Sequence, residues 1–416
     1  MEISLREVLD AILVGTGGVY LVAMTWLLRG LGRSARESDH SPRSREGNPP
    51  VSVIVAARDE AASIGACLSA LKSQDYGGRW EVIVVDDRSV DGTGAIVEGL
   101  MAEGAGEQAG ELKLIRTREN PPFACPKKSA LAQGITASSG ELLLFTDADC
   151  QPPPQWIRST VSMFGDDVGL VAGYAYPRSG SRLRDRLLAL DNAAVGAMGA
   201  GSFGMGSPLA CTGRNLAYRR QVFDEVGGFA DIGHLIGGDD VYFARLVAEK
   251  ATSWRRVYNT QPQNAVACDP GPAGWRDLIQ QKLRHAAKAG HYGGAAAALG
   301  AAVYLFHLVL LMGLLRSVLQ LHAGGLLAGV WGAKWLLDFA LLWSFESGTV
   351  RDRRLLAFLP ILEVVYIPYV LLFVPLGRLG LFRWKNRGFS ASRVHSAPIL
   401  SSSARGDRGD SSSNFS

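Results

Sequence analysis

LLLFTDADC, residues 142–150, carries four apolar residues into two carboxylates that stand one residue apart. A short apolar run of this kind reads as a buried strand. Side chains two apart on a strand point the same way, so Asp147 and Asp149 face one spot, and hard divalent cations take oxygen ligands. A turn would also account for an aspartate where a strand stops. The sequence on either side has to decide between a turn and a metal.

Upstream, VSVIVAA (51–57) and WEVIVVDD (80–87) are further short β-branched runs, as expected of strands covered on both faces. Between them, Ile64, Leu68 and Leu71 recur at helical spacing from about Glu60 to Lys72, and a second helical stretch, Lys127 to Ala137, precedes the 142–150 strand. Strand–helix–strand alternation implies an α/β domain over 51–290 with a mostly parallel sheet, whose ligands gather at the carboxyl ends of the strands. Four acidic clusters fall at those ends or in nearby loops: Arg58-Asp59-Glu60, Asp86-Asp87, Asp147 with Asp149, and Asp239-Asp240 after Gly237-Gly238. One acidic strand end is a turn; several converging on one edge suit a metal and a polar ligand.

The flanks are of another kind. Residues 9–28 are long and apolar enough to span a bilayer and are followed by Arg29, Arg33, Arg36, Arg43 and Arg45, which predicts an uncleaved anchor with the downstream chain in the cytoplasm. Residues 30–50 read as a flexible Arg/Ser/Gly/Pro linker. Three more apolar segments lie within 295–378, interrupted by Arg316, Asp338 and Glu363, which favours helices packed on one another. If the last one spans, the basic residues Arg378, Arg383, Lys385 and Arg387 fall outside; Pro360, Pro368 and Pro375 suggest a broken or re-entrant helix that avoids this. Residues 389–416 read as a disordered tail. A net charge of +4 is too small to imply nucleic acid, and the five cysteines form no CxxC pair, which points to reduced thiols.

Taken in order, VSVIVAARDEAASIGACLSAL, VVDDRSVDGT, KKSALAQGI, GELLLFTDADC and GGDDVYFARLV resemble the motifs of family 2 glycosyltransferases with the GT-A fold, over roughly residues 50–290. Gln281-Lys-Leu-Arg284-His285 resembles the family's Gln-x-x-Arg-Trp element, with His in the place of Trp, and WKNRGF (384–389) looks like the tail of membrane-bound bacterial members.

The resemblance implies a nucleotide held between the first two strand ends, with Glu60 near the ribose, Asp87 near the base, and Asp59 and Asp91 as supporting neighbours. An Asx turn is the alternative for Asp91. Lys127 would lie near the diphosphate, although Pro126 replaces the family's glycine; a solvated lysine at a helix start is the other reading. Asp147 and Asp149 resemble the DxD motif, Asp149 ligating Mg²⁺ or Mn²⁺ and Asp147 facing the ribose or a metal-bound water. Gln281 and Arg284 would line the acceptor side or the diphosphate, unless their helix is a plain amphipathic one. Asp240, with Asp239 beside it, would be the catalytic base, its alternative role being a helix N-cap. The expectation is an inverting, metal-dependent hexosyl-type transferase in the cell (inner) membrane, using a nucleotide-sugar, UDP-linked in preference to GDP-linked, and a lipid-linked or glycan acceptor. A nucleotidyltransferase and a non-enzymatic membrane scaffold are the rival classes; the first lacks its glycine-rich phosphate loop here, and intact acidic clusters speak against the second.

Overall fold

The computed structural model describes residues 4–40, 48–103, 110–117, 122–178, 180–235, 237–271, 274–287, 294–320, 324–350, 352–379, 382–384 and 387–389. In chain order the elements are α1 (Leu5–Asp39), β1 (Val51–Ala57), α2 (Ile64–Lys72), β2 (Trp80–Asp86), α3 (Thr93–Ala102), β3 (Glu111–Arg116), α4 (Pro126–Ala137), β4 (Leu142–Asp147), β5 (Cys150–Gln151) and α5 (Trp156–Val161). Next come β6 (Val168–Gly173), β7 (Ala175–Pro177), α6 (Leu183–Gly204), β8 (Leu216–Arg219), α7 (Arg220–Glu225), α8 (Val241–Lys250), β9 (Arg255–Asn259), β10 (Val266–Cys268) and α9 (Trp275–Ala287). The chain continues with α10 (Gly294–Gln320), α11 (Gly325–Gly348), α12 (Leu359–Arg378), β11 (Phe382–Trp384) and β12 (Arg387–Phe389).

The main sheet runs β3-β2-β1-β4-β8-β6-β9. β1 pairs in parallel with β2 and β4, whereas β8 is antiparallel to β4 and β6. The chain winds outward from β1 to β3 and then returns to the other side of β1, so the crevice beyond β1 and β4 is a topological switch point, where ligands of such sheets bind. Strand alternation fills both faces. Val51, Val53 and Val55 pack with α2, α3 and α5, while Ile54, Phe145 and Tyr218 pack with α4, α6 and α8. This is the mixed α/β arrangement of a GT-A domain.

The second of these cores does not stop at the domain. It takes in Leu27 and Leu31 of α1 and Leu341, Leu342 and Phe345 of α11. The expected linker at 30–50 is therefore corrected over 30–39, which continue α1. At 35 residues and 1.5 Å rise, α1 is about 52 Å long, well beyond the about 30 Å hydrocarbon core of a bilayer, and its C-terminal part lies against α6. A Cβ on Gly30 would meet the Gly201 carbonyl oxygen at 1.9 Å, and one on Gly201 the Leu27 carbonyl at 2.6 Å. Glycines here let two backbones touch. Beyond them, the Ser34 hydroxyl donates to the Ala200 carbonyl at 2.8 Å and the Ser38 hydroxyl accepts from Thr260 N–H at 3.0 Å. Serine, arginine and glycine look like linker residues in composition but serve here as a packing face. Arg43 and Arg45 lie outside the described residues.

Four helical segments, Glu7–Asp39, Ala296–Leu319, Gly325–Gly348 and Arg353–Arg378, are long and apolar enough to cross a membrane. Leu13, Phe306, Leu310, Leu327 and Ile367 join α1, α10, α11 and α12 in a core of their own. The broken helix expected at the three prolines is a continuous one: Pro360 sits in the first turn of α12, and Pro368 and Pro375 lie inside it. A first-turn proline gives up no helical bond, and neighbouring helices can hold a proline-containing helix together. The expected tail beyond Phe389 lies outside the described residues.

Candidate active site

Parallel register aligns the acidic strand ends. Ala57 pairs with Asp86, and Ala56 with Asp147, so the loops after β1, β2 and β4 leave the sheet at one edge. The first two loops clasp each other. Asp59 N–H donates to Ser89 Oγ at 3.0 Å and Val90 N–H to Asp59 Oδ1 at 2.9 Å. Asp59 and Arg88 hold φ of 51° and 57°, left-handed backbone that costs about 1–3 kcal/mol per residue and gathers at functional sites. Asp91 accepts from Ala61 N–H at 2.9 Å and from Thr93 N–H at 3.1 Å. The Thr93 hydroxyl, which donates to the same carboxylate, holds it below the ordinary value more than any other group, and the Ala61 N–H adds to this. The Asx-turn alternative for Asp91 thus describes its geometry, and Asp59 likewise braces the loops. Asp87 is buried, with Arg58 at 3.3 Å, Arg88 at 2.9 Å and the Thr117 hydroxyl at 3.1 Å around its carboxylate. Glu60 stands at the same edge, its N–H donating to Thr93 Oγ1 at 2.8 Å.

At the end of β4 the charges interlock. Lys127 Nζ donates to Asp147 Oδ1 at 2.7 Å and lies 3.2 Å from Asp239 Oδ2. Burial by itself would favour the neutral amine, but Asp147 and Asp239 outweigh it and raise the lysine's pKa. Asp147 shows the converse: burial would raise its pKa, and Lys127 and Arg214 together hold it below the usual carboxylate range. Arg214, in the loop between α6 and β8, spans the DxD pair. Its Nη2 donates to Asp149 Oδ2 at 3.0 Å, and its Nε lies 3.6 Å from Asp147 Oδ2. The two carboxylates converge on one cation, but β4 stops at Asp147 and Asp149 stands on the turn into β5, so the turn and not the period of a strand brings it there.

Asp239 and Asp240 reach this cluster on a turn that glycine makes possible. Gly237 and Gly238 have φ of 73° and 69°, a conformation that L-residues with a Cβ adopt rarely. Asp240 is the N-cap of α8, its Oδ1 accepting from Val241 N–H at 2.7 Å. The capping alternative is therefore realised, which leaves the proton-accepting role to be tested. On α9, burial and then Arg214 depress the Arg284 pKa, while Asp147, Asp239 and Asp240 oppose them, so this residue belongs to the same cluster. Gln281 lies one turn earlier and is half-buried. α9 is held by Lys282, which pairs with Asp191 of α6; Tyr366 of α12 donates to the same aspartate. The place where the family has Trp is filled by an exposed His285.

The sequence reading missed Arg214 and Asp191. Arg214 comes directly after Gly213 in the stretch GRNLAYRR, whose Asn215 is buried with its amide nitrogen 2.9 Å from the Tyr174 carbonyl and 2.7 Å from the Asn264 carbonyl. The available signal was the stretch 213–229, which resembles the family's acceptor-side region without singling out Arg214. Cys150 Sγ lies 3.0 Å from Cys268 Sγ. Among the described residues no three His, Cys, Asp or Glu side chains gather into a cage sufficient for a metal ion.

Residues 52–227 match Glycosyl transferase family 2, and residues 142–376 match Glycosyl transferase family group 2. The chain is 31% identical over 242 residues to glycosyltransferase AglE of Haloferax volcanii, across 57% of this chain and 71% of that protein. It is 35% identical over 117 residues to beta-monoglucosyldiacylglycerol synthase of Synechocystis sp., across 28% of this chain and 23% of that one. Among solved structures, the mannosyltransferase PcManGT from Pyrobaculum calidifontis, in complex with GDP-Man and Mn²⁺, aligns over 88% of this chain and 99% of its own at 22% identity and a TM-score of 0.49. The second family match alone takes in more than half of the chain, and it runs from the first residue of the DxD strand through most of the last apolar helix: the chain belongs to the family 2 glycosyltransferases, enzymes that transfer a sugar from a nucleotide-sugar.

Proposed function

We propose that the chain transfers a hexosyl group, with inversion and with the help of a divalent ion, from a nucleotide-sugar to an acceptor held at the membrane. The observation that carries the membrane acceptor is the seat of α9. The helix bearing Gln281 and Arg284 lies directly on the apolar helix α12: a Cβ on Gly377 would be 2.8 Å from Ala286 Cβ, and Lys282 Nζ stands over the Tyr369 ring. An acceptor reaching the charged cluster from the bilayer passes beside these residues. That the Synechocystis relative is named for a diacylglycerol product supports a lipid-linked acceptor. A UDP-linked donor, preferred over a GDP-linked one, rests on the sequence resemblance.

The roles follow from charge and position. The clasped loops around Glu60 and Asp87 receive the nucleoside, and Lys127, Arg214 and Arg284 offer positive charge to its diphosphate. Asp147 and Asp149 fit Mg²⁺ or Mn²⁺, since both are hard oxygen donors aimed at one point, and such ions are commonly held by one or two carboxylates plus substrate phosphates. When bound, the ion would supply Lewis-acid neutralisation of the leaving diphosphate. Asp240 takes the proton of the acceptor hydroxyl as that oxygen bonds to the sugar carbon and the carbon–oxygen bond to the diphosphate breaks on the opposite side. The arginines after the apolar part of α1 support a cytoplasmic side for this domain, and the four long apolar helical segments support a multi-pass membrane topology.

The test supplies membranes containing the protein with a panel of UDP- and GDP-sugars and tracks the products, with Mg²⁺, with Mn²⁺ and with excess chelator. Release of nucleoside diphosphate, lost on chelation, is expected. Release of pyrophosphate would make the chain a nucleotidyltransferase, and release of nothing from any donor would leave the scaffold reading.

A further inference from the structure

The DxD carboxylates already have a cation of the chain's own. Arg214 lies across Asp149 at 3.0 Å and Asp147 at 3.6 Å, where an ion shared by the two would have to be. Its backbone is fixed by its neighbour Asn215. That residue is buried, accepts from Trp156 Nε1 at 2.9 Å, and receives Gly173 N–H on its carbonyl at 2.9 Å. The Arg214 side chain, in contrast, is 29% exposed. Asp149 is also fixed along its main chain, its carbonyl accepting from Asp269 N–H at 2.8 Å. Two anchored carboxylates thus face one side chain that can leave. With no third acidic or histidine ligand gathered among the described residues, an ion at this pair would draw its remaining ligands from the diphosphate.

We propose that Arg214 is a tethered counter-cation that makes divalent-ion binding conditional on the nucleotide. Without a diphosphate, the guanidinium neutralises Asp147 and Asp149 and competes with the ion for the same oxygens. A diphosphate offers the guanidinium a second partner with matching fork geometry, so Arg214 turns from the carboxylates to the phosphates and the pair is released. Ion and nucleotide then bind with positive coupling, and by linkage each tightens the other equally. This inference rests on the divalent-ion reading above.

The purified full-length protein in detergent is titrated with Mn²⁺ alone and with Mn²⁺ plus UDP or GDP, free Mn²⁺ being measured by its electron paramagnetic resonance signal. In the wild type, nucleoside diphosphate is expected to tighten Mn²⁺ binding by about tenfold or more, within the usual range of coupling. In Arg214→Met, Mn²⁺ alone should bind about tenfold tighter than in the wild type, and the tightening brought by the nucleotide should shrink by about the same factor. Wild-type protein that binds Mn²⁺ equally well with and without either nucleotide overturns the proposal without recourse to a variant. A folded Arg214→Met protein that keeps wild-type coupling overturns it too. Asp149→Asn separates the two levels: if it retains full Mn²⁺ binding beside the nucleotide, the metal assignment itself is wrong. Loss of binding in Asp149→Asn with unchanged coupling in Arg214→Met removes only the role given to Arg214.

Discussion

Lys127, Asp147, Arg214 and Asp149 at the sheet edge, and Lys334, Asp338 and Glu363 among the apolar helices, are both chains of ion pairs, and they differ in what surrounds them. At the sheet edge the four side chains keep 23–29% of their surface exposed. Among the helices, Lys334 is 4% exposed, with Asp338 at 2.6 Å and Glu363 as its second partner. The Tyr20 hydroxyl of α1 completes that group, lying 2.8 and 3.0 Å from the two Asp338 oxygens. The inner cluster joins α1, α11 and α12. It works as a brace because nothing can reach it to compete. The outer cluster has nearly the same chemistry but keeps part of each side chain exposed, so its pairs can be exchanged for a ligand's charges. Burial, more than residue type, separates a brace from a site.

The largest effect should come from the outer cluster. Asp149→Ala removes a carboxylate aimed at the ion, and transfer should drop by on the order of 10³–10⁴, the several kcal/mol of a Lewis acid, while the protein remains folded by circular dichroism. Turnover in excess chelator equal to that with Mg²⁺ or Mn²⁺ would break the contrast at its functional end. Asp240→Asn comes next. Asparagine caps about as well as aspartate but takes no proton, so transfer should fall about 10²–10⁴-fold with donor affinity nearly kept. Wild-type transfer by this variant would leave Asp240 as a cap and pass the role of base to Asp239.

The inner cluster should answer in stability. Lys334→Met strands two acids among apolar helices and should cost about 3–5 kcal/mol, as removal of one partner of a buried pair does. Replacing Lys334, Asp338 and Glu363 together by apolar residues should recover most of it. An unchanged unfolding midpoint in detergent for the single variant would show that the brace holds nothing.

Glu81 sharpens the comparison as a buried carboxylate with a partly exposed partner, Lys113, in the α/β domain, far from the acidic strand ends. Burial would raise its pKa, yet Lys113, Ser52 and Ser139 outweigh that and lower it to about 2. A folded pKa below the unfolded one stabilises above the unfolded value, near 4.5, and the gain is lost as pH falls toward 2. Glu81→Gln should therefore cost about 1–3 kcal/mol at neutral pH and progressively less in acid. A deficit that grows with acidity would reverse the assignment.

Much of the site was legible because its signals are local. An apolar run ending in carboxylates marks a strand end wherever it occurs, and the order of the acidic motifs named the family before any geometry. The Gly237-Gly238 pair stood beside Asp239-Asp240 in the sequence, but its left-handed backbone emerged only with the structure. The stretch 30–39 misled because composition reports solvation and says nothing of a partner: Gly30 and Ser34 could be read as packing residues only with α6 in place.

By itself, the sequence determined where strands end in acid, which segments are apolar enough to cross a bilayer, and which residues stand in the motif positions of a sugar transferase. These are properties of neighbours within a few residues, set by the periods of strand and helix. Tertiary structure alone decided that Arg214 meets a pair of aspartates, the nearer 65 residues before it, that Asp191 ties α9 to α12, and that α1 continues into the core of the domain. An arginine on a loop carries the same charge whatever it faces. Its partner is fixed by sheet order, because β8 inserts beside β4 only after the chain has wound out to β3 and returned.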